Sequence, residues 1–468
     1  MIFRPLFVSC TARDGKIYTE QAKIQVMKLF RTIALAGLVA GTFGCKSVVE
    51  DLNINPNEFT DISTSLLVNH AVLNLASIQE AEPARIAGMW TDQFTGSDRQ
   101  YITQDNYGVD DSDFDATWRE LYRDGLSPAR GAKAKAAAEG ATSFEGIATI
   151  MEGYYGAEAA LLFGDVPFSE ADNATDFPDP AYDSQESVLS SAIALLNAGA
   201  SLTGDLGVSG GNSILTGSAT WAEMAKALEA RYKLAMKDYP GALAAAEASF
   251  DDPADEPSII HTTVNFAENL FFQFEAEQRT DYLTFNGSYL SRVLSDTTDI
   301  TRTSDKTNDT NRREFYQYTA GGFDRLNTNP GGLFAADANF PVIGYPEVQL
   351  IIAETAQRGG DNDKAIQALN NARNYWDGVM GTDDYADLDE DDFDDDDALL
   401  EAIMLEKYVS VFGLPTFYDV IRTDNILGVD LDGRDMPVQR FIYPSVERSS
   451  NENYPGIKSL DDPTPINM

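Results

Sequence analysis

A helix-turn-helix pattern between residues 345 and 373 constrains the fold more than any other stretch of this chain. Apolar residues recur at helical spacing before and after a Gly-Gly-Asp-Asn turn at 359–362, first at positions 348, 351, 352 and 356, then at 365, 369 and 372. The two glycines stop the first helix, and the following polar residues can cap the next one. The stretch therefore predicts two antiparallel helices joined by a tight turn.

Small residues in this hairpin are spaced as in a tetratricopeptide helix pair. Ala353, Ala365 and Ala372 are separated by 12 and 7 positions, which match the Ala/Gly positions of that repeat. A generic helical hairpin has the same polarity without needing these offsets. The spacing favours the repeat over the generic hairpin.

One helix pair cannot bury its own apolar stripe, so the chain should contain further pairs. The best of them repeats the small-residue offsets at Ala230, Ala242 and Ser249. We predict a mostly α-helical fold of about four tetratricopeptide-like helix pairs with long, irregular, loop-rich excursions. The three further predicted pairs are 221–237 with 242–250, 144–163 with 185–198, and 62–93 with 114–135.

The charge balance excludes some classes of partner. The chain has 34 basic and 75 acidic residues among 468, a formal net charge of -41. Nucleic-acid binding depends on neutralising phosphates, and docking on anionic lipid needs basic residues. Neither activity is expected of this chain, and the acidity is typical of a well-solvated surface.

Cysteine and histidine are too scarce for most catalytic or metal centres. The chain has two cysteines, Cys10 and Cys45, and two histidines, His70 and His261. A Ser-His-Asp triad, a thiolate zinc site and a multi-histidine metal site are therefore not expected. We predict no catalytic residue, no metal and no cofactor.

The amino-terminal region has the pattern of an export signal. Residues 27–44 combine a short basic part with an apolar run too short to span a bilayer. The run ends in Gly44-Cys45, which resembles a bacterial lipoprotein signal whose cysteine is acylated after cleavage. A plain secretory signal with an incidental Cys45 is the alternative.

The segments on either side of this signal have different characters. Residues 1–26 are polar and are predicted to be an upstream extension that is not native, because an export signal must lie near the real terminus. Residues 45–61 are predicted to be a lipidated tether, since acyl chains on Cys45 would anchor the protein in a membrane. Glu50 and Asp51 near its start resemble the acidic surface-export tags of some bacterial lipoproteins, and this resemblance implies exposure at the cell surface.

Two later regions interrupt the helical pattern. Residues 251–344 are loop-rich but carry many aromatic residues, so we predict an insert that folds back on the helix pairs. The acidic run 383–397 invites a calcium-binding interpretation. An EF-hand loop needs Gly at its sixth place and Glu at its twelfth, whereas counting from Asp387 gives Asp392 and Ala398. A solvated acidic loop fits this run better.

Several motifs, taken in order, resemble the SusD/RagB family of Bacteroidota outer-membrane glycan-binding lipoproteins, in particular its SusD-like branch. The resemblance spans nearly all of the chain after residue 44. The motifs are Cys45 with Asn55-Pro56-Asn57, Gly164 to Ala171, Glu347 to Gly360, Glu406-Lys407-Tyr408 with Phe412-Gly413, Asp419 to Thr423, and Arg440 to Pro444 with Glu447, Asn451 and Asn453.

The resemblance implies a fold, a location and a function. It implies that residues 62–468 form one SusD-like helical-repeat domain with 251–344 as its insert. Members of the family cover a SusC-like TonB-dependent transporter in the outer membrane and capture oligosaccharides for import. The expected protein is therefore a non-catalytic, lipid-anchored, surface-exposed glycan-binding lipoprotein.

Three alternatives to glycan capture remain open on the sequence alone. A glycoside hydrolase would use two carboxylates with divergent protonation in a deep cleft. A helical-repeat scaffold would bind protein without a sugar platform. A third possibility is a lipoprotein that serves peptide uptake.

The candidate glycan-binding residues are aromatic, with one arginine beside them. Sugar rings stack on aromatic faces through their CH groups, and arginine can donate paired hydrogen bonds to hydroxyls. The choice follows local context, namely the polar insert after the first helix, the aromatic-rich insert and the end of the hairpin helix. The candidates are Trp90, Arg99, Tyr101, Tyr107, Tyr282, Phe285, Tyr289 and Trp376.

Overall fold

The computed structural model describes residues 62–468, and residues 63–468 form one compact unit. Cys45, the signal and the tether lie outside the described residues. The helices are α1 Thr64–Leu73, α2 Leu75–Gln79, α3 Glu82–Trp90, α4 Arg99–Asp105, α5 Asp115–Leu121, α6 Ser127–Glu139, α7 Thr142–Phe163, α8 Gln185–Thr203, α9 Trp221–Ala235, α10 Tyr239–Glu247, α11 Leu270–Phe272, α12 Tyr289–Val293, α13 Thr310–Tyr316, α14 Tyr345–Arg358, α15 Asn362–Met380, α16 Asp396–Ser410, α17 Leu414–Arg422 and α18 Ser445–Ser450. The strands are β1 Thr95–Gly96, β2 Leu215–Thr216, β3 Ser258–Ile259, β4 Leu283–Thr284, β5 Gln317–Ala320, β6 Phe323–Leu326 and β7 Phe340–Pro341.

The four predicted helix pairs are present, with shifted boundaries. α14 packs on α15, α9 on α10, α7 on α8, and α1 on α6. The second helix of the hairpin continues to Met380, seven residues past its predicted end, and stops where Gly381 adopts φ 68°. The return helix α10 begins at Tyr239 rather than 242, because Asp238 caps it and Pro240 is tolerated in its first turn.

Glycines allow α7 and α8 to approach closely. A Cβ at Gly146 would lie 2.9 Å from the carbonyl oxygen of Gly199, and one at Gly199 would lie 2.7 Å from that of Gly146. A Cβ at Gly153 would lie 2.8 Å from the carbonyl oxygen of Ala192. The two helices are therefore in near backbone contact at three levels, which larger side chains would prevent.

The insert 251–344 is fixed to the helical body at both ends and in the middle. Strand β3 lies between β2 and β7 in an antiparallel sheet, so the two ends of the insert meet there. A second antiparallel sheet has the order β1-β4-β6-β5 and joins the insert to the segment that follows α3. The insert thus folds back over the first helix pair.

Buried ion pairs connect helices that are distant in sequence. Arg231 on α9 donates from Nε and Nη2 to the carboxylate of Glu347 on α14, at 2.6 and 2.7 Å. Arg422 on α17 binds both oxygens of Glu354 on α14, at 2.6 and 2.5 Å. These four side chains are almost completely buried, so each pair fixes the register between its helices.

Candidate functional site

Four of the eight candidate residues belong to the core, and this corrects their assignment to a sugar platform. Trp90, Tyr101, Phe285 and Trp376 are exposed by 1, 3, 0 and 5% respectively. The ring of Trp90 packs against Phe441 at 5.4 Å between centroids. Packing of this kind covers the ring faces that a sugar would need.

The other four candidates are accessible, and they lie in turns or at the first residues of short helices. Tyr107, Tyr282 and Tyr289 are half-buried, and Arg99 is exposed. Pairing of β1 with β4 brings the two inserts together, and the Ser97 amide donates to the carbonyl oxygen of Tyr282 at 2.9 Å. Arg99 itself contacts only the neighbouring Asp98, at 3.6 Å.

Tyr282 is supported by a group of aromatic and basic side chains. Its ring meets that of Tyr101 edge-on at 6.1 Å, and the guanidinium of Arg279 lies 5.4 Å from its centroid. Arg85 donates from Nε to the hydroxyl of Tyr101 at 2.8 Å and stacks over Phe274 at 4.1 Å. The buried Tyr101 thus holds Tyr282 in place at the surface.

A second group combines carboxylates with Tyr107. The pKa of Asp92 is raised to about 8. Burial is the largest cause, the hydrogen bond from the Tyr289 amide opposes it, and the charges of Asp432 and Asp430 add to it. Burial raises the pKa of Asp105 to about 7 in the same way. Within the part of the chain that the structure describes, no cationic side chain offsets the burial of these two carboxyl groups.

Tyr107 is clamped between this acidic group and an arginine. The guanidinium of Arg434 lies 4.6 Å from the Tyr107 ring centroid and also pairs with Asp461. Burial and the charge of Asp432 both raise the pKa of the Tyr107 hydroxyl, so it remains protonated and able to donate a hydrogen bond. We call the set Asp92, Asp105, Tyr107, Tyr282, Tyr289, Asp432 and Arg434 the loop face.

Three residues of the loop face have a left-handed backbone conformation. Asp92, Tyr107 and Asp432 have φ values of 52°, 60° and 49°. The adjoining residues Arg99 and Asp281 also have positive φ, at 47° and 67°. Such conformations are costly for residues other than glycine and persist where the surroundings fix them, commonly at ligand sites.

No sequence pattern indicated the acidic residues of the loop face or Arg434 as site residues. Residues 430–435 read Asp-Leu-Asp-Gly-Arg-Asp, which indicates an acidic turn but not its packing against Tyr107. Asp92 lies beside a predicted helix end and Asp105 lies in the polar insert, and acidic residues are ordinary at both places. Their significance depends on tertiary contacts between segments more than 300 residues apart.

Two kinds of feature are absent from residues 62–468. No group of three or more histidine, cysteine, aspartate or glutamate side chains there could hold a metal ion. In the same part of the chain, every helix is too short or too polar to cross a membrane.

The sequence between residues 56 and 416 matches the model of a SusD-like family described as starch-binding associating with outer membrane. No curated protein matches the chain.

Many solved structures share this fold, which confirms the predicted SusD-like helical architecture. A SusD/RagB family protein from Bacteroides thetaiotaomicron has 17% identity and a TM-score of 0.57, covering 84% of this chain and 95% of its own. A Bacteroidetes SusD-like protein, AC2a, has 17% identity and a TM-score of 0.64, covering 87% and 100%. A chitin-binding SusD homolog from Flavobacterium johnsoniae has 15% identity and a TM-score of 0.58, covering 82% and 94%.

Proposed function

The chain belongs to the SusD-like family, and from that premise we propose that it captures oligosaccharides at the loop face without cleaving them. It then delivers them to a SusC-like TonB-dependent transporter in the outer membrane. The observation that carries the proposal is the loop face itself, where half-buried tyrosines lie beside hydrogen-bonding carboxyl groups and arginines.

The chemistry of the loop face suits sugar recognition. Tyr107, Tyr282 and Tyr289 offer aromatic surface against which a sugar ring can pack. The carboxyl groups of Asp92 and Asp432 accept hydrogen bonds from hydroxyls, and Arg434 donates them. Because packing holds Tyr282 and Tyr289, and Tyr107 is fixed in a left-handed backbone conformation, little conformational entropy is lost when a glycan binds.

The protonation of the carboxyl groups favours binding over hydrolysis. A glycoside hydrolase needs one carboxyl group kept protonated and a second kept ionised. At the loop face the pKa values of Asp92, Asp105 and Asp432 are all raised, with burial the largest cause for each. No ionised nucleophile is set apart from a protonated acid within this group.

The location follows from the amino-terminal signal and the family. We propose that acylated Cys45 anchors the chain in the outer membrane and that the tether 45–61 leaves the folded unit at the cell surface. Palmitate labelling tests the anchor, since Cys45 is the only cysteine after residue 44. A Cys45→Ala protein that still incorporates palmitate would contradict it.

Affinity electrophoresis in gels containing starch or soluble chitin oligomers tests the binding site. We expect Tyr107→Ala and Tyr282→Ala to lose retention several-fold, because a stacked aromatic contributes about 0.5–1.5 kcal/mol beyond area burial. Their melting temperatures should stay close to that of the unaltered protein, since both side chains are only half-buried.

Tyr239→Ala is a matched control. Tyr239 is also half-buried and has the guanidinium of Arg358 at 4.7 Å over its ring, but it lies on α10 in a helix pair. It should keep full retention. Equal retention of all three variants on a gel that retards the unaltered protein would exclude the loop face as the site. Release of reducing sugar would support the hydrolase alternative.

A further inference from the structure

A separate cavity of about 180 Å³ lies at the start of α14, away from the residues of the loop face. Its floor is formed by buried side chains, including Arg231, Glu347 and Trp376. Half-buried and exposed residues form its mouth, among them Phe315, Tyr375 and Val379. The cavity therefore has an open side and a closed, aromatic-rich interior.

Arg231 leaves one polar atom of this lining without a partner. Its Nε and Nη2 atoms bind Glu347, and Nη2 also donates to the carbonyl oxygen of Val342 at 2.9 Å. Its Nη1 atom has no hydrogen-bond partner among residues 62–468, although the side chain is 95% buried. Buried donors are normally satisfied, so an oxygen acceptor at this place would improve the structure.

Glu256 supplies acceptor capacity on the same lining. Its carboxylate accepts from the Tyr345 amide at 2.8 Å and from the Tyr375 hydroxyl at 3.2 Å. Each carboxylate oxygen has more than one lone pair, so the group can also accept from a ligand hydroxyl. Donor and acceptor groups thus line the same cavity as the aromatic rings of Phe315, Tyr375 and Trp376.

The size of the cavity limits its ligand to a small one. A single water needs about 10–15 Å³ of such space, and the cavity is far larger than that. Pockets for drug-sized ligands are typically about 300–1,000 Å³. One sugar ring fits between these limits, whereas an oligosaccharide does not.

The charge of the lining selects against anions. Glu347 neutralises Arg231, and Glu256 adds a carboxylate whose pKa burial raises to about 6. The lining is therefore neutral or negative near pH 7. A uronate or a sulfated sugar would be repelled, and a neutral ring with hydroxyl groups would be accepted.

We propose that this cavity binds a single neutral sugar unit, as a second site distinct from the loop face. The aromatic rings pack on the sugar ring, Arg231 donates to one of its oxygens, and Glu256 accepts from a hydroxyl. The ligand class rests on the proposed function, but the site depends on different residues and can be tested independently of it.

Ligand-observed saturation-transfer NMR on the protein from residue 46 onward provides the test, with glucose, galactose, mannose and N-acetylglucosamine as probes and glucuronate as the anionic counterpart. The measurements use a Tyr107→Ala/Tyr282→Ala background, so that signal from the loop face is removed. We expect at least one neutral sugar to bind and glucuronate to bind at least tenfold more weakly at neutral pH.

Val379→Trp should block the mouth and weaken that binding at least tenfold. Val379 is 45% exposed, so the larger side chain can be accommodated without disturbing the core. Ile457→Trp, at a position 74% exposed and outside the cavity lining, is the matched control and should bind normally. The proposal is overturned if none of the four neutral sugars binds, or if Val379→Trp binds as well as Ile457→Trp.

The two proposals fail separately. Loss of gel retention by loop-face variants with an unchanged cavity signal supports both sites. Retention that is insensitive to loop-face variants contradicts the proposed function alone, whereas an absent cavity signal contradicts only the second site.

Discussion

Buried carboxyl groups occur both in the helical body and at the loop face, but their pKa values are shifted in opposite directions. Glu354 lies on α14, and Glu406 lies on α16, which packs against α14. At both positions burial opposes ionisation, but nearby arginines outweigh it and lower each pKa to about 2. Asp92 and Asp105 have no such partner, and burial raises their pKa values to about 8 and 7. The difference lies in the pairing, since all four groups are shielded from solvent.

The two arrangements serve different ends. A buried pair joins two helices and costs several kcal/mol when one partner is lost. An unpaired carboxyl group contributes no such link and destabilises the fold once it ionises. Such a cost persists where the group has another task, and at the loop face the task we propose is hydrogen bonding to a ligand.

Loss of Glu406 should have the largest effect on stability. Its carboxylate binds Arg312 at 2.8 Å and also contacts Arg302, and all three side chains are 90% or more buried. Glu406→Leu leaves two buried cations short of a partner and should lower the free energy of unfolding by about 3–5 kcal/mol. Urea denaturation at neutral pH measures this.

The exposed ion pair between Glu247 and Lys364 provides the control for that result. Glu247 and Lys364 are 2.5 Å apart, but their side chains are 45 and 38% exposed. Glu247→Leu should change the free energy of unfolding by at most about 1 kcal/mol. Similar losses of unfolding free energy in the two variants would mean that burial does not determine how much these ion pairs contribute to stability.

Acid should weaken the helix pairs before it affects the loop face. The folded-state pKa values of Glu354 and Glu406 lie below the unfolded value, so their stabilisation is present above about pH 4.3 and is lost as the pH falls towards about 2. The two pKa shifts together correspond to roughly 5–7 kcal/mol of unfolding free energy. Urea titrations at several pH values should show that decline, and a flat profile below about pH 4 would contradict it.

Asp105→Asn should produce a smaller change of opposite sign. The folded-state pKa of Asp105 is raised, so its favourable contribution is complete below about pH 3.9 and is lost as the pH rises through about 7. The amide cannot ionise, so the variant should be more stable than the unaltered protein by roughly 1–3 kcal/mol at alkaline pH, and little different in acid.

Thermal melts at two pH values and gel retention test this prediction together. The variant should gain stability only at the higher pH while its glycan retention falls. A variant that is equally stabilised at both pH values would indicate a packing effect instead of a titration.

The helical body was predictable from sequence because its signals are local and repeated. The Gly-Gly-Asp-Asn turn, the capping residues and the small-residue offsets of α14 and α15 each depend on neighbours within one helix pair. Their positions set the order and polarity of the pairs, and only the helix ends moved, as at Met380 and Tyr239.

The loop face was not predictable to the same extent because exposure there is a tertiary property. Tyr101 and Tyr107 lie in the same polar insert, yet one is core and the other half-buried. Arg434 reaches Tyr107 across more than 300 residues, and no local pattern predicts that contact. The aromatic content of the insert correctly predicted folding back, but not which rings would remain accessible.

Arg434→Gln should have the smallest effect of these substitutions. Comparing it with Arg358→Gln distinguishes a role in ligand binding at the loop face from a role in the stability of the helix pairs. The guanidinium covers one side of the Tyr107 ring at 4.6 Å and so holds the ring in position for a sugar on its other side. An exposed cation–π contact contributes about 0.5–1 kcal/mol, which corresponds to roughly a two- to fivefold loss of retention.

Arg358 makes the same kind of contact with Tyr239 at 4.7 Å but also pairs with the buried Glu354 at 2.9 Å. Arg358→Gln should therefore lower the melting temperature and leave retention unchanged, because Arg358 neutralises a buried carboxylate. Arg434→Gln should leave the melting temperature unchanged and lower retention, because Arg434 faces the proposed ligand. If both variants shift the melting temperature and neither changes retention, Tyr107 and Arg434 are structural residues, and the division between helix pairs and loop face does not hold at this position.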